Sequence, residues 1–209
     1  MQNNYDHIAP YYDFLSRMVF FRAQVRAQSD QLESIPANSS ILIVGGGTGW
    51  ILEEIARIYP SGLTIVYVEI SEKMLNISRK RNTGANQVEY IHAAAEDLST
   101  DQKFDVVITA FLFDNYSGDT IQTVFSKLDH LLKAGGTWFF SDFYYNKESG
   151  KKWQYYLLKT MYLFFNKISD VQAKMLINTE PIFAEYDYDV VRAEYYYAGF
   201  IKAITYQKR

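Results

Sequence analysis

The feature that most constrains this chain is a short apolar run, Ile41 to Val44, which leads directly into Gly45-Gly46-Gly47-Thr48-Gly49. Trp50 to Tyr59 follows, with Ile51, Leu52, Ile55 and Ile58 at helical spacing. The pattern reads as strand, glycine loop, helix. Glycines at 45, 47 and 49 permit positive φ and let a ligand approach the backbone with no Cβ in the way. Amide N–H groups beside a helix N-terminus suit a carboxylate or a phosphate. The nicotinamide and flavin fingerprint needs glycine where Trp50 stands, so Trp50 turns the loop away from dinucleotides. Glu69 closes the next β-rich run about 20 residues after Gly49, the offset at which a strand-end carboxylate meets an adenosine ribose.

Strands and helices alternate beyond that point. Leu63 to Val68, Val88 to Ile91, Phe104 to Thr109 and Thr137 to Ser141 read as strands. Ser71 is placed to cap a helix carrying Met74, Leu75 and Ile77, and a stripe from Ile121 to Leu132 reads as a helix ended by Gly135-Gly136. Such alternation builds a parallel sheet covered on both faces, with ligands beyond the carboxyl ends of its strands. After residue 142 the pattern changes. Lys151 to Asn166 is helical and rich in aromatics, and Asp170 to Tyr186 reads as a helical region interrupted near Pro181. Val190 to Tyr197 and Phe200 to Tyr206, joined at Ala198-Gly199, predict an antiparallel hairpin.

Composition narrows the function. The 209 residues suit one domain, and a formal charge of −3 without basic runs argues against nucleic acid as a partner. The absence of cysteine removes disulfides, thiolate metal sites and a Cys nucleophile, and with only three His no metal site is expected. No apolar stretch reaches the length of a membrane span and no leader is evident, so a cytoplasmic location is expected.

Together the motifs resemble a known family. ILIVGGGTGW (41–50), VYVEISEKML (66–75), HAAAEDL (92–98), FDVVITAFLFDN (104–115) and LKAGGTWFFSDF (132–143) are similar to successive motifs of class I S-adenosylmethionine-dependent methyltransferases. The head YDHIAPYYDFLS (5–16) and tail YYYAGFIKAITYQK (195–208) resemble the ubiquinone and menaquinone C-methyltransferase group and its small-molecule relatives. The resemblance implies an α/β, Rossmann-like, doubly wound, seven-stranded, mostly parallel sheet with an antiparallel C-terminal hairpin. It divides the single domain 1–209 into a helical cap (1–35), a cofactor-binding core (41–142), a helical substrate-lid region (143–186) and the hairpin (188–207). S-adenosyl-L-methionine is the implied cofactor and a small, partly apolar molecule the implied acceptor. The methionine end would lie at Gly45, Gly46, Gly47, Thr48 and Gly49, with Ala110 and Thr109 nearby. Glu69 would hold the ribose, Ile70 an adenine face, Ala95 and Glu96 the adenine edge, and Tyr12 would cover the cofactor. Ile43 and Ala94 stand where the family carries acids; each removes a polar contact, and Glu96 or Asp97 could replace the one at the adenine.

Methyl transfer needs an acceptor aligned with the S–CH₃ bond, and a base only where the acceptor loses a proton. Asp142, Asp114 and His7 are the candidate bases; His92 and His130 read as structural. The aromatics from Tyr144 to Phe165 suggest a lid, with Tyr144 and Tyr155 facing the acceptor. Two alternatives stand beside this reading. Ile43 and Ala94 fit a noncatalytic adenosylmethionine-binding protein, and Ser141 with Tyr155-x-x-x-Lys159 resembles the catalytic set of short-chain dehydrogenases.

Overall fold

In a computed structural model, residue 6, residues 9–146, residue 148, residues 151–168 and residues 176–209 are described, without the side chains of 164–168. Two helices, α1 (Tyr12–Phe20) and α2 (Ala23–Leu32), precede a seven-stranded sheet of order β3-β2-β1-β4-β5-β7-β6. Its strands are β1 (Ser40–Val44), β2 (Ser61–Glu69), β3 (Ala85–His92), β4 (Phe104–Ala110), β5 (Leu132–Phe143), β6 (Tyr188–Tyr196) and β7 (Ile201–Lys208). β1 pairs in parallel with β2 and β4, β2 with β3, and β4 with β5. β7 then inserts antiparallel between β5 and β6. The connecting helices are α3 (Trp50–Ile58), α4 (Glu72–Ser78), α5 (Gly118–Leu131), α6 (Lys152–Ile168) and α7 (Glu180–Glu185).

Side-chain parity explains why both faces of the sheet are covered. Ile41, Ile43, Ile65, Tyr67, Val106, Ile108 and Phe139 pack under α2 and α3, against Leu32, Ile51, Leu52 and Ile55. The alternate residues, Leu42, Val44, Val66, Val68, Val107, Trp138 and Phe140, pack under α5 and α7 against Val124, Phe125, Leu128 and Phe183. Strands apolar on both sides are the mark of a parallel sheet between two helical layers. β7 is buried from Ile201 to Tyr206, as a central strand must be, whereas β6 exposes most of its residues and places Arg192 and Glu194 on the free edge. Charges there discourage further strand pairing.

Two boundaries differ from the sequence reading. α5 ends at Leu131 rather than at Gly135, because β5 starts at Leu132 and bulges between its pairings with Phe104 and Val106; Gly135, at φ +71°, lies within that bulge. Pro181 does not interrupt a helix but stands in the first turn of α7, where its missing N–H leaves no hydrogen bond unmade. Residues 169–175 of that expected helical region lie outside the described residues.

Within the α5 layer the indole Nε1 of fully buried Trp138 donates to Thr109 Oγ1 at 2.8 Å. Thr109→Val keeps the shape and removes the acceptor, and should cost about 1–3 kcal/mol of unfolding free energy in urea denaturation. A loss below about 0.5 kcal/mol would mean that the indole finds another acceptor.

Candidate cofactor and acceptor site

The glycine loop wraps the end of β2. Gly45 N–H donates to Val68 O at 2.9 Å. A Cβ on Gly46 would lie 2.2 Å from the Tyr67 ring, so only glycine lets the loop cross that ring. The Tyr67 hydroxyl donates to Gly47 O at 3.0 Å. Gly47, at φ +64°, has nothing within 4 Å of its Cβ position and presents bare backbone to open space. Glu69, 4% exposed, accepts from Gly47 N–H through Oε2 and from Ser71 N–H through Oε1, each at 2.8 Å. Burial raises its pKa, and the N–H groups of Ser71, Gly47 and Ile70 oppose that rise.

α1 is tied over the loop by charged groups. Thr48 Oγ1 donates to Asp13 Oδ1 at 2.6 Å, and Arg81 Nη2 meets Asp13 Oδ2 at 2.8 Å. Arg81 Nε also donates to Thr48 O at 3.0 Å, and Ser71 Oγ donates to Asp6 Oδ1 at 2.6 Å. Tyr12, the neighbour of Asp13, is thereby held in the wall of a cavity of about 800 Å³.

Gly45, Gly46, Gly47, Thr48, Glu69, Ile70, Glu96, Ala110, Tyr12 and Asp114 all line this cavity. Gly49 instead caps α3 at φ +77°, where a Cβ would lie 2.5 Å from Ser78. Ala95 is buried in the core, and Thr109 is engaged by Trp138. Of the two departures from the family pattern, Ile43 forms part of the wall and Ala94 is buried. Glu96 accepts from the Tyr116 hydroxyl at 3.2 Å, and its backbone oxygen accepts from Lys127 Nζ. Asp97 and Tyr116 also line the cavity.

The remaining wall is largely apolar: Leu15, Val19, Phe20, Phe111, Phe143, Leu157 and Met161. The lid residues expected from the sequence are displaced in register. Tyr155 is 47% exposed and packs on Tyr145 and Tyr156, and Tyr144 packs on Tyr195, so α6 reaches the cavity through Leu157 and Met161 instead. The dehydrogenase-like set is not assembled. Ser141 is buried beneath α2, donating to Ala27 O at 3.0 Å and accepting from Gln31 Nε2 at 2.9 Å, while Tyr155 and Lys159 are exposed. His92 Nε2 lies 2.9 Å from Ile70 O at a strand end, His130 lies in the last turn of α5, and His7 falls outside the described residues.

Asp114 and Asp142 lie close enough for their charges to interact, and they differ in surroundings. Asp142 sits at the end of β5, 4% exposed and outside the cavity wall, and its carboxylate accepts from Phe143 N–H at 2.7 Å. Burial raises its pKa to about 7, held from rising further by Phe143 N–H, the Lys202 charge and the N–H groups of Asp114 and Phe113. Asp114 faces the cavity and accepts from Asn115 Nδ2 at 2.8 Å. Burial, then the Asp142 charge, pushes its pKa well above the carboxylate range. The turn between β4 and Asp114 passes through Phe111, a non-glycine residue at φ +52° whose ring packs on Phe143 at 4.9 Å. Strained backbone of this kind collects at functional sites.

Comparisons with known proteins meet this geometry. Residues 41–136 match the methyltransferase-domain family. The chain is 32% identical over 143 residues to the ubiquinone/menaquinone biosynthesis C-methyltransferase UbiE of Geotalea daltonii, which covers 65% of this chain and 60% of that relative. In fold it is similar to the calicheamicin-biosynthesis methyltransferase CalO1 bound to S-adenosylhomocysteine (TM-score 0.68, 15% identity, 96% of this chain and 57% of that one). It is likewise similar to the N-methyltransferase NodS of Bradyrhizobium japonicum WM9 in complex with S-adenosylhomocysteine (TM-score 0.65, 12% identity, 88% and 83%). Residues 41–136 are thus a methyltransferase domain, in a chain that spans about 60% of the length of that curated relative. The open backbone at Gly47, with the buried Glu69 carboxylate and the further acids Asp13, Glu96, Asp97, Asp114 and Asp119 in the same wall, fits S-adenosylmethionine, a ligand carrying a carboxylate, a cation and a ribose.

Two outcomes test the site. Gly46→Ala forces a methyl into the Tyr67 ring and should lower stability by about 1–3 kcal/mol in thermal or urea unfolding; Gly46→Ala with Tyr67→Ala should recover part of that loss. The carboxylate pair sets a pH dependence. An acid whose folded pKa lies above its unfolded value of about 3.9 stays protonated in the native state while the unfolded chain ionises, so stability falls as pH rises. Melting temperature should therefore drop between about pH 5 and pH 8, and Asp114→Asn should flatten that slope; an unchanged slope would contradict the pairing.

Proposed function

We propose that this protein transfers the methyl group of S-adenosylmethionine, by in-line displacement, to a small and partly apolar acceptor, and that Asp114 takes the proton the acceptor loses. The observation that carries this reading is the placement of Asp114 in the same cavity wall as the glycine loop and Glu69, with Asp142 behind it. When bound, adenosylmethionine would supply an electrophilic methyl on a cationic sulfur. Gly45 to Thr48 and Glu69 would hold it, with Tyr12 of α1 over it and Ile70 and Glu96 at its adenine.

Asp114 is suited to a proton that must move as charge disappears. A nearby cation favours its ionised form, and loss of that cation restores its raised proton affinity. The proton is therefore drawn onto Asp114 as the transfer completes. Asn115 orients the carboxylate and Asp142 tunes it, so Asp142 is a positioning residue in this scheme. Leu157, Met161, Phe111 and Phe143 exclude water and hold an apolar body. The Geotalea relative's name places it in ubiquinone and menaquinone biosynthesis, and we propose an aromatic ring bearing a hydroxyl as the acceptor class here.

Asp114→Asn should lower kcat by about 100-fold or more on a panel of phenols and hydroquinones, with cofactor affinity by calorimetry changed less than about threefold. Glu69→Ala should do the reverse, weakening adenosylmethionine and adenosylhomocysteine alike. Full turnover in Asp114→Asn would remove the base. Cofactor binding without turnover across the panel would favour a binding protein, the reading to which Ile43 and Ala94 point.

A further inference from the structure

The described surface carries an unusual concentration of exposed, large apolar side chains on two helices that bound the cavity. On α1 and its flanks, Tyr11, Phe14, Met18 and Phe21 recur at helical spacing and are 65%, 68%, 58% and 70% exposed. Across the cavity, α6 exposes Tyr156 and Leu163 at 65% and 64% while Leu157 and Met161 face inward. Val19 and Phe20 of α1 and Leu157 and Met161 of α6 join one hydrophobic cluster and line the same cavity, so both helices bound one region of the molecule.

The exposed charges of α6 are cationic, whereas at the C-terminal end of α1 Phe21 and Arg22 share a surface pocket with Arg26, Asp30, Arg192 and Glu194. From Lys151 to Leu163 the chain has three lysines and no acid, although its formal charge is −3. Lys151, Lys152 and Lys159 are exposed, as are Arg17 and Arg22 at α1. The nearest acid on α1, Asp13, is turned to Arg81 and Thr48. A helix face combining aromatics and Met with Lys and Arg matches the composition that seats in a lipid headgroup layer. Among the described residues no helix is long and apolar enough to cross a membrane.

We propose that α1 and α6 dock this protein on the surface of an anionic lipid bilayer, placing the apolar end of the cavity against the membrane. Apolar residues enter the headgroup region, the cations meet anionic lipid, and an apolar molecule can pass between bilayer and cavity without crossing water. The inference stands on surface chemistry and does not depend on the methyl-transfer reading.

Vesicle flotation of the full chain tests it, comparing phosphatidylcholine alone with phosphatidylcholine containing about a third phosphatidylglycerol. Binding should require the anionic lipid and weaken with salt. Lys152→Gln with Lys159→Gln should weaken it by about fivefold per cation removed. Phe14→Ser with Tyr156→Ser should also weaken it, whereas Val190→Ser with Val191→Ser, equally exposed on the edge strand β6, should not. Trp153, 40% exposed at the start of α6, should be quenched by brominated lipid. The proposal is overturned by absence of flotation, by α1 and α6 variants that float as well as the unaltered protein, or by a dimer in sedimentation that Phe14→Ser with Tyr156→Ser abolishes.

Discussion

The Glu69 carboxylate holds two backbone loops on the ends of adjacent strands, and the site is organised around that junction. One oxygen accepts from Gly47 and the other from Ser71, so the turn after β1 and the turn after β2 are fixed to each other. Removing a carboxylate from water is costly unless its oxygens are hydrogen-bonded, and here backbone N–H groups offset that cost. Tyr67, two residues earlier on the same strand, supports the loop from beneath through its ring and hydroxyl. The glycine loop is therefore tied to β2 by the chain's own hydrogen bonds. A carboxylate offers about four lone-pair directions, which leaves Glu69 able to accept from a ligand as well.

The cap is joined to the same junction. Thr48 in the loop, Asp13 on α1 and Arg81 after α4 form one charged cluster, so loop position and cap position are coupled. These groups are partly shielded from solvent, where charge-assisted hydrogen bonds hold better than at an open surface. The opposite strategy operates at the ends of β4 and β5. There, burial raises the pKa of both aspartates, the Asp142 charge adds to the rise at Asp114, and Lys202 opposes it at Asp142, so Asp114 keeps the stronger hold on its proton. One half of the cavity is thus built from satisfied polar groups and the other from apolar walls around one proton-retaining acid.

Much of this was legible from the chain. The glycine loop, the Glu69 offset, the alternation of strands and helices and the C-terminal hairpin rest on short-range patterns, because φ freedom, side-chain parity and helical periodicity are properties of neighbouring residues. Those patterns placed the loop and Glu69 at one site, and the resemblance to class I methyltransferases added Ile70, Glu96, Ala110 and Tyr12, which line the same wall. Asp13, Arg81, Asn115 and the apolar wall from Phe111 to Met161 carried no comparable local signal. Tyr144 and Tyr155 stood out by composition, but the turn of α6 directs Leu157 and Met161 inward instead.

By itself the sequence determined the type of sheet and the kind of loop at its carboxyl edge, since apolar residues at both parities allow only strands covered on two faces, and glycine alone accepts the loop's torsions. Tertiary structure alone decided that Asp114 and Asp142, 28 positions apart, should share an environment. That pairing needs β4 beside β5 in register, Ala110 opposite Ser141; the sequence named both aspartates as candidate bases but not the coupling between them. Proton affinity depends on burial and on charges across space. Both are created when distant strands meet.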